Sequence, residues 1–154
     1  MNNMRMIDDV SLKILKILQD KARIPNVEVA RQVGMAPSAV LERIRKLEKM
    51  GFIDGYEVRI NPERFGKSQV AFITVRTDGN GAEHDLIDTL SAIPQVQEIH
   101  YVAGRNGYLI KIRESDTRAV GRLVRNQIAP LKGVRAIDTT IVMNTFKETA
   151  RIPI

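Results

Sequence analysis

A chain of 154 residues is long enough for one large domain or two small ones. Its composition, 44% apolar and 27% charged, is that of an ordinary soluble protein, and the absence of cysteine excludes a disulfide framework, a thiolate metal site and a thiolate nucleophile. The net charge of +6 favours an acidic partner such as nucleic acid, yet residues 1–60 carry 11 Lys and Arg against 8 Asp and Glu, and residues 61–154 carry 13 against 10, so the excess singles out neither half.

No apolar run approaches the roughly 20 residues that span a bilayer, and the opening MNNMRMIDDV lacks the apolar core of a signal peptide. A cytoplasmic protein with no membrane partner is therefore expected. Ile7 to Asp20 is expected to form the first helix, with Asp8 or Asp9 at its positive end and Val10, Ile14, Leu15 and Leu18 facing inward.

Asn26 to Gly51, NVEVARQVGMAPSAVLERIRKLEKMG, has the clearest design in the chain. Val29, Ala30 and Val33 make one apolar stripe, with Asn26 a good cap for its start. Gly34 can take the left-handed conformation in which helices often end, and Pro37 suits the first turn of the next helix. In that second helix Val40, Leu41, Ile44 and Leu47 form the inner face, Glu42, Lys46 and Lys49 point away, and Arg43 and Arg45 lie on the flanks. A short helix, a Gly turn and a basic second helix form a helix-turn-helix pattern, whose second helix typically enters the DNA major groove. With Ala30 and Gly34 in register, the simplest spacing puts the last core position on Arg43. A turn one residue longer, around Ala36 and Pro37, moves it to Ile44. Three helices of this size are marginal alone and should lean on something else.

FIDGYEVRI (52–60) alternates like a strand and is expected to link the two halves. Beyond Asn61-Pro62 the pattern changes to strands and helices in turn: VAFITVRT (70–77), a DGNG turn (78–81), a helix over 82–93 with Leu86, Ile87, Leu90 and Ile93 inward, and VQEIHYVA (96–103). GRNG (104–107) is expected to make a tight hairpin to YLIKIR (108–113). Ser115-Asp116 should cap a helix running to about Leu131 with Val120, Leu123, Val124 and Ile128 inward; Gly133 then leads into VRAIDTTIVMN (134–144).

The order βαββαβ is that of ferredoxin-like folds. The whole chain is therefore expected to be α+β: a three-helix, winged-helix-like domain over residues 1–52, a hinge strand and linker over 53–67, and a ferredoxin-like domain over 68–154. Two helices should cover one face of the sheet. Ile or Val at alternate positions on all four strands should leave the other face apolar, which predicts back-to-back dimers and a pair of recognition helices.

The runs IDDVSLKILKILQDKARIPNVEVARQVGMAPSAVLERIRKLEKMGFIDGYEVRINPERFG and VRAIDTTIVMNTFKET resemble the Lrp/AsnC, or feast/famine, family of prokaryotic transcription regulators, over nearly all of the chain. The resemblance implies a helix-turn-helix domain that binds double-stranded DNA and a C-terminal domain that senses a small effector, often an amino acid. It also implies homodimers that often assemble into octamers. By position it brings Pro37, Ser38, Ala39, Glu42 and Arg43 to the groove. Lys46 and Arg31 become phosphate contacts, and Asn26 both a cap and a phosphate contact. Ala36 stands where a Ser often caps the recognition helix, which predicts a frayed entry. The effector loop corresponds to Gly104, Arg105, Asn106, Gly107 and Tyr108. There the family commonly reads V-T-G-D-x-D-Y, but both acidic positions are replaced, by Arg105 and Gly107. Arg105 would repel an ammonium group and favour a carboxylate or another anion. Two alternatives stay open: a chemically different ligand, or an empty pocket and a loop that serves assembly.

No nucleophile with a base and orienting group can be read from the chain, and no cofactor is implied. His84 falls on the outer side of a helix and His100 on a strand, without the spacing of a zinc site. Sirohaem decarboxylases share the architecture and are the enzyme alternative, but they typically carry a Tyr-Asn-x-Trp-Phe-Thr-like run where this chain has NGYLIKIR and no Trp. A stand-alone ligand-sensing module would leave Asn26–Gly51 without a role.

Overall fold

The computed structural model describes residues 7–78, 83–103 and 107–154. The chain divides into two compact units, one made of the residues up to Arg59 together with Glu148–Ile154, the other of Ile60–Lys147.

Among the described residues, the first unit holds three helices: α1 (Asp9–Asp20), α2 (Asn26–Val33) and α3 (Pro37–Lys49). Asp8 caps α1, its carboxylate accepting the Ser11 N–H at 2.8 Å. Ile14, Leu15 and Leu18 of α1, Val29 and Ala30 of α2, and Val40, Ile44 and Leu47 of α3 form one buried cluster. Each larger side chain buried this way contributes about 1.5–3 kcal/mol. Gly34 adopts φ 71°, the left-handed exit that its sequence position predicts. Ile44 is buried, so the longer turn is the one the chain uses.

The cap of α2 differs from expectation. Pro25, extended at φ −60° and ψ 139°, takes the cap position, and its carbonyl accepts from the Glu28 and Val29 N–H groups. Asn26 is the first residue inside the helix and makes no capping bond. Ala36 likewise supplies no side-chain cap to α3, although its carbonyl accepts the Val40 N–H at 3.1 Å and the helix begins at Pro37.

Residues 148–154 belong to this unit and contact the end of α1 through exposed hydrogen bonds. Arg151 donates to the Asp20 carboxylate at 2.9 Å and to the Asp20 carbonyl at 3.1 Å. The Gln19 amide pairs with the backbone of Ile152 in both directions, at 3.1 and 2.9 Å. FIDGYEVRI forms no strand within the chain, and Tyr56, Val58 and Ile60 are exposed. Alternation shows which residues could line a strand, but a strand also needs a ladder partner, and none lies beside this segment within its own unit.

The second unit is a four-stranded antiparallel sheet of order β2-β3-β1-β4, with β1 Gln69–Thr77, β2 Val96–Val102, β3 Gly107–Glu114 and β4 Val134–Ile141. Helix α4 (Glu83–Ser91) connects β1 to β2. Helix α5 (Thr117–Leu123), continued by a π turn over Val124–Ile128, connects β3 to β4. This is the expected ferredoxin-like order. Asp116 caps α5 by accepting the Ala119 N–H at 2.8 Å, and the helix ends three residues before Leu131 because the Ala129 N–H reaches back five residues to Val124.

Ala71, Ile73 and Val75 of β1 and Tyr108, Ile110 and Ile112 of β3 pack beneath Leu86, Leu90, Val120, Leu123 and Ile128. Side chains alternate across a sheet, so the opposite face carries Val70, Phe72, Thr74 and Arg76 beside Leu109, Lys111 and Arg113. Glu98 and His100 extend it from β2, and Asp138 and Thr140 from β4. That face is not the expected row of Ile and Val. The β-branched residues of β1, β3 and β4 lie mainly under the helices, and the open face holds Lys111–Glu98 at 2.8 Å and Arg76–Asp138 at 3.0 Å.

Candidate nucleic-acid interface and effector segment

Helix α3 turns Ser38, Glu42, Arg45 and Lys49 outward at helical spacing, with Lys46 beside them. Its opposite side is anchored by Val40, Ile44 and Leu47. Pro37 lies exposed at the start of the helix and Ala39 is half-buried next to it. Missing from the sequence expectation was the weight of Arg45, placed there on a flank. Its spacing of three from Glu42 and seven from Ser38 already put it on the outward stripe.

The other basic residues of the predicted interface are engaged within the unit. Arg43 donates to the Asp8 carboxylate and, at 3.0 Å, to the Ser11 hydroxyl, bracing α3 against the start of α1. The Ser11 hydroxyl and N–H, together with the Arg43 guanidinium, hold the Asp8 carboxyl down at about 2. Arg31 pairs with Glu28 at 2.6 Å on the exposed side of α2, and with Gln32 it holds the Glu28 carboxyl at about 2. Asn26 is half-buried at the start of α2, and its side chain makes no capping bond there among the described residues. At the far end of α3, Glu48 accepts from the Tyr56 hydroxyl at 2.9 Å; burial first and the carboxylate second push the phenol up to about 12.

Of the effector residues, Gly104, Arg105 and Asn106 lie outside the described residues, while Gly107 and Tyr108 open β3. Gly107 stands opposite Arg76, and a Cβ there would come within 2.1 Å of the Val75 carbonyl oxygen. Any side chain at 107, an acidic one included, would require the backbone of β1 or β3 to shift. Tyr108 is buried in the core of the sheet unit, its ring 5.5 Å from that of the exposed Tyr101. His84 and His100 are exposed, His100 lying 3.2 Å from Glu98. Among the described residues, no group of three or more His, Asp or Glu could hold a metal ion, and no helix is long and apolar enough to cross a membrane.

A helix-turn-helix with an outward basic second helix, followed by a βαββαβ sheet unit, defines the architecture of a ligand-responsive DNA-binding regulator. Comparison with known proteins agrees. Residues 7–54 match the winged helix-turn-helix DNA-binding family and residues 70–152 the Lrp/AsnC ligand binding domain. The leucine-responsive regulatory protein of Salmonella typhimurium is 36% identical over 152 residues, covering 96% of this chain and 92% of that protein; its Escherichia coli K12 counterpart is 33% identical over 150 residues with the same coverage. The structure of a Neisseria meningitidis transcriptional regulator in complex with L-Met superposes with a TM-score of 0.91 at 28% identity, over 96% of this chain and 97% of that one. An AsnC family regulator from Agrobacterium tumefaciens gives 0.89 at 25%, with the same coverage. The chain belongs to the Lrp/AsnC family of transcriptional regulators.

Proposed function

We propose that the protein is a cytoplasmic, non-enzymatic regulator that reads its operator with α3 and responds to a small anionic effector at the segment 104–108. The observation that carries the reading is the outward stripe Ser38, Glu42, Arg45, Lys46, Lys49 on a helix whose inner face is fixed in the core. Pro37, Ser38, Ala39 and Glu42 then meet base edges, while Arg45 and Lys46 meet phosphates, which position the protein without reading sequence. Asn26 and Arg31 would reach the flanking backbone, Arg31 by exchanging Glu28 for a phosphate. Arg43 has a double role: it sets the angle between α1 and α3, and its half-exposed guanidinium lies at the edge of the groove.

A homodimer joined through the open sheet face would present two recognition helices to half-sites about 34–36 Å apart, and such dimers can assemble further to octamers. The ligand of the neisserial regulator is an amino acid. With Arg105 and Gly107 at the two usually acidic positions, the ligand here is an amino acid or organic acid held through its carboxylate.

Arg45→Ala with Lys46→Ala tests the interface. Titration of operator DNA across a range of salt should show a binding slope shallower by up to about 3.6, from about 0.9 for each of the four phosphates that the two protomers no longer neutralise. Folding stability should stay within about 0.5 kcal/mol of the parent. Unchanged affinity and slope would take α3 out of the interface.

A further inference from the structure

Arg43 differs from the other cations of α3 in that its head group is fixed within its own unit. Its Nη1 donates both to the Asp8 carboxylate and, at 3.0 Å, to the Ser11 hydroxyl. Those partners are fixed in turn. One Asp8 oxygen accepts the Ser11 N–H at 2.8 Å as the cap of α1 while the other takes Arg43, and Ser11 is buried. Both hydrogen bonds of the guanidinium use Nη1. The group is planar and carries five donors, so the Nε–H and the Nη2 group remain, pointing together along one edge as a two-pronged fork. Among the described residues that edge has no partner.

Charge decides what such a fork suits. The hydrogen bonds from Ser11 and Arg43 hold the Asp8 carboxyl at about 2, so at neutral pH the Asp8–Arg43 pair is ionised and carries no net charge. Phosphate affinity comes from cations that displace counterions, and the exposed Arg45, Lys46 and Lys49 supply those. A guanidinium already neutralised gains less from a phosphate, yet it still donates two parallel hydrogen bonds. In the major groove, O6 and N7 of guanine offer two adjacent neutral acceptors that an arginine fork matches. Position agrees, because Arg43 lies on one side of α3 between Ala39, four residues before it, and Lys46, three after. Ala39 adds only a methyl to the approach from the preceding turn. We propose that Asp8 and Ser11 are positioning residues that hold Arg43 as a guanine-reading fork at the rim of the groove. The assignment rests on the reading of α3 as the recognition helix. It also gives Asp8 two opposed effects on binding: its charge repels DNA of any sequence, while its hold on Arg43 discriminates between bases.

The test is selection by the full-length protein from a pool of random duplexes, followed by titration of the enriched duplex. The parent should enrich a guanine that Arg43→Lys, which keeps the charge but has no fork, no longer requires. Exchanging that G·C pair for A·T should weaken the parent about 5- to 150-fold, the worth of one bidentate pair, and Arg43→Lys by less than about twofold. Asp8→Asn keeps a capping side chain and so preserves the fold. It should bind random duplex more tightly than the parent yet lose most of the discrimination at that guanine. Base preferences that both variants leave unchanged, with only the melting temperature lowered, would make the pair purely structural and overturn the proposal. So would a salt slope shallower by about 0.9 per protomer in Arg43→Gln with the guanine still preferred, which would make Arg43 a phosphate contact. A parent that enriches no sequence at all overturns this assignment together with the reading of α3 as the recognition helix; the first two outcomes overturn this assignment alone.

Discussion

The two faces of the sheet are made by the same strands and are held by different forces. Under α4 and α5 the strands contribute Ile73, Val75, Ile110 and Ile112, none exposed to more than a trace of solvent. On the other side the same strands contribute Arg76, Lys111 and Thr74, with Glu98 and Asp138 from their neighbours paired to the two cations. A packed apolar face fixes the fold of one chain. A face of paired charges around Val70, Phe72 and Leu109 adds little to that fold, and in the proposed dimer its charges would set the register of the two copies.

Three changes separate those roles. The largest effect is expected for Ile110→Ala, which removes a fully buried side chain between β1 and β2: about 2–5 kcal/mol, read as a lowered unfolding transition of the sheet unit while the helical signal of the first unit persists. Gly107→Ala should cost about 1–3 kcal/mol, since its Cβ meets the Val75 carbonyl and the β1–β3 ladder must yield. Asp138→Asn is the smallest for the single chain, at most about 1 kcal/mol, because the pair with Arg76 is half exposed on both sides. If the open face joins two copies, that variant should nonetheless raise the dimer dissociation constant in sedimentation experiments. An unchanged constant would move the dimer contact elsewhere.

Acid offers a further separation. Asp8 is lowered from 3.8 to about 2, and Glu98 is lowered from 4.5 by the hydrogen bonds of Lys111 and His100. A depressed carboxylate stabilises the folded state above its ordinary range and loses that contribution as pH falls through the folded value. Stability should therefore be level at neutral pH and decline below about pH 4.5, with the Asp8 and Glu28 shares both lost toward pH 2. Asp8→Asn keeps a capping side chain but releases Arg43 from its ion pair. It should reduce that low-pH loss to the Glu28 share and, by freeing a cation at the groove, tighten DNA binding.

Much of this was legible in the sequence because it depends on short-range rules. Gly34 and Pro37 mark the turn through their own backbone preferences, and Asp116 caps α5 from three residues away. Helical spacing placed Ile44 in the core once the longer turn was allowed. What could not be read depends on contacts distant along the chain. The pairing of Arg43 with Asp8 spans 35 residues. The need for glycine at 107 comes from a carbonyl on another strand. Alternation in β1 and β3 announced two faces without saying which of them the helices would cover, and the apolar rhythm of 52–60 said nothing about a ladder partner. Asn26 misled for a local reason: Pro25 occupies the extended cap position first.

The return of residues 148–154 to α1 also bears on the order of events during synthesis. Gln19 is made 133 residues before the Ile152 backbone it binds. At a ribosomal rate of roughly 5–20 residues per second, about 7–27 s separate the two. Throughout that interval the nascent head has its three helices and their core but lacks these closing hydrogen bonds, so its last contacts form only after the sheet unit has been translated.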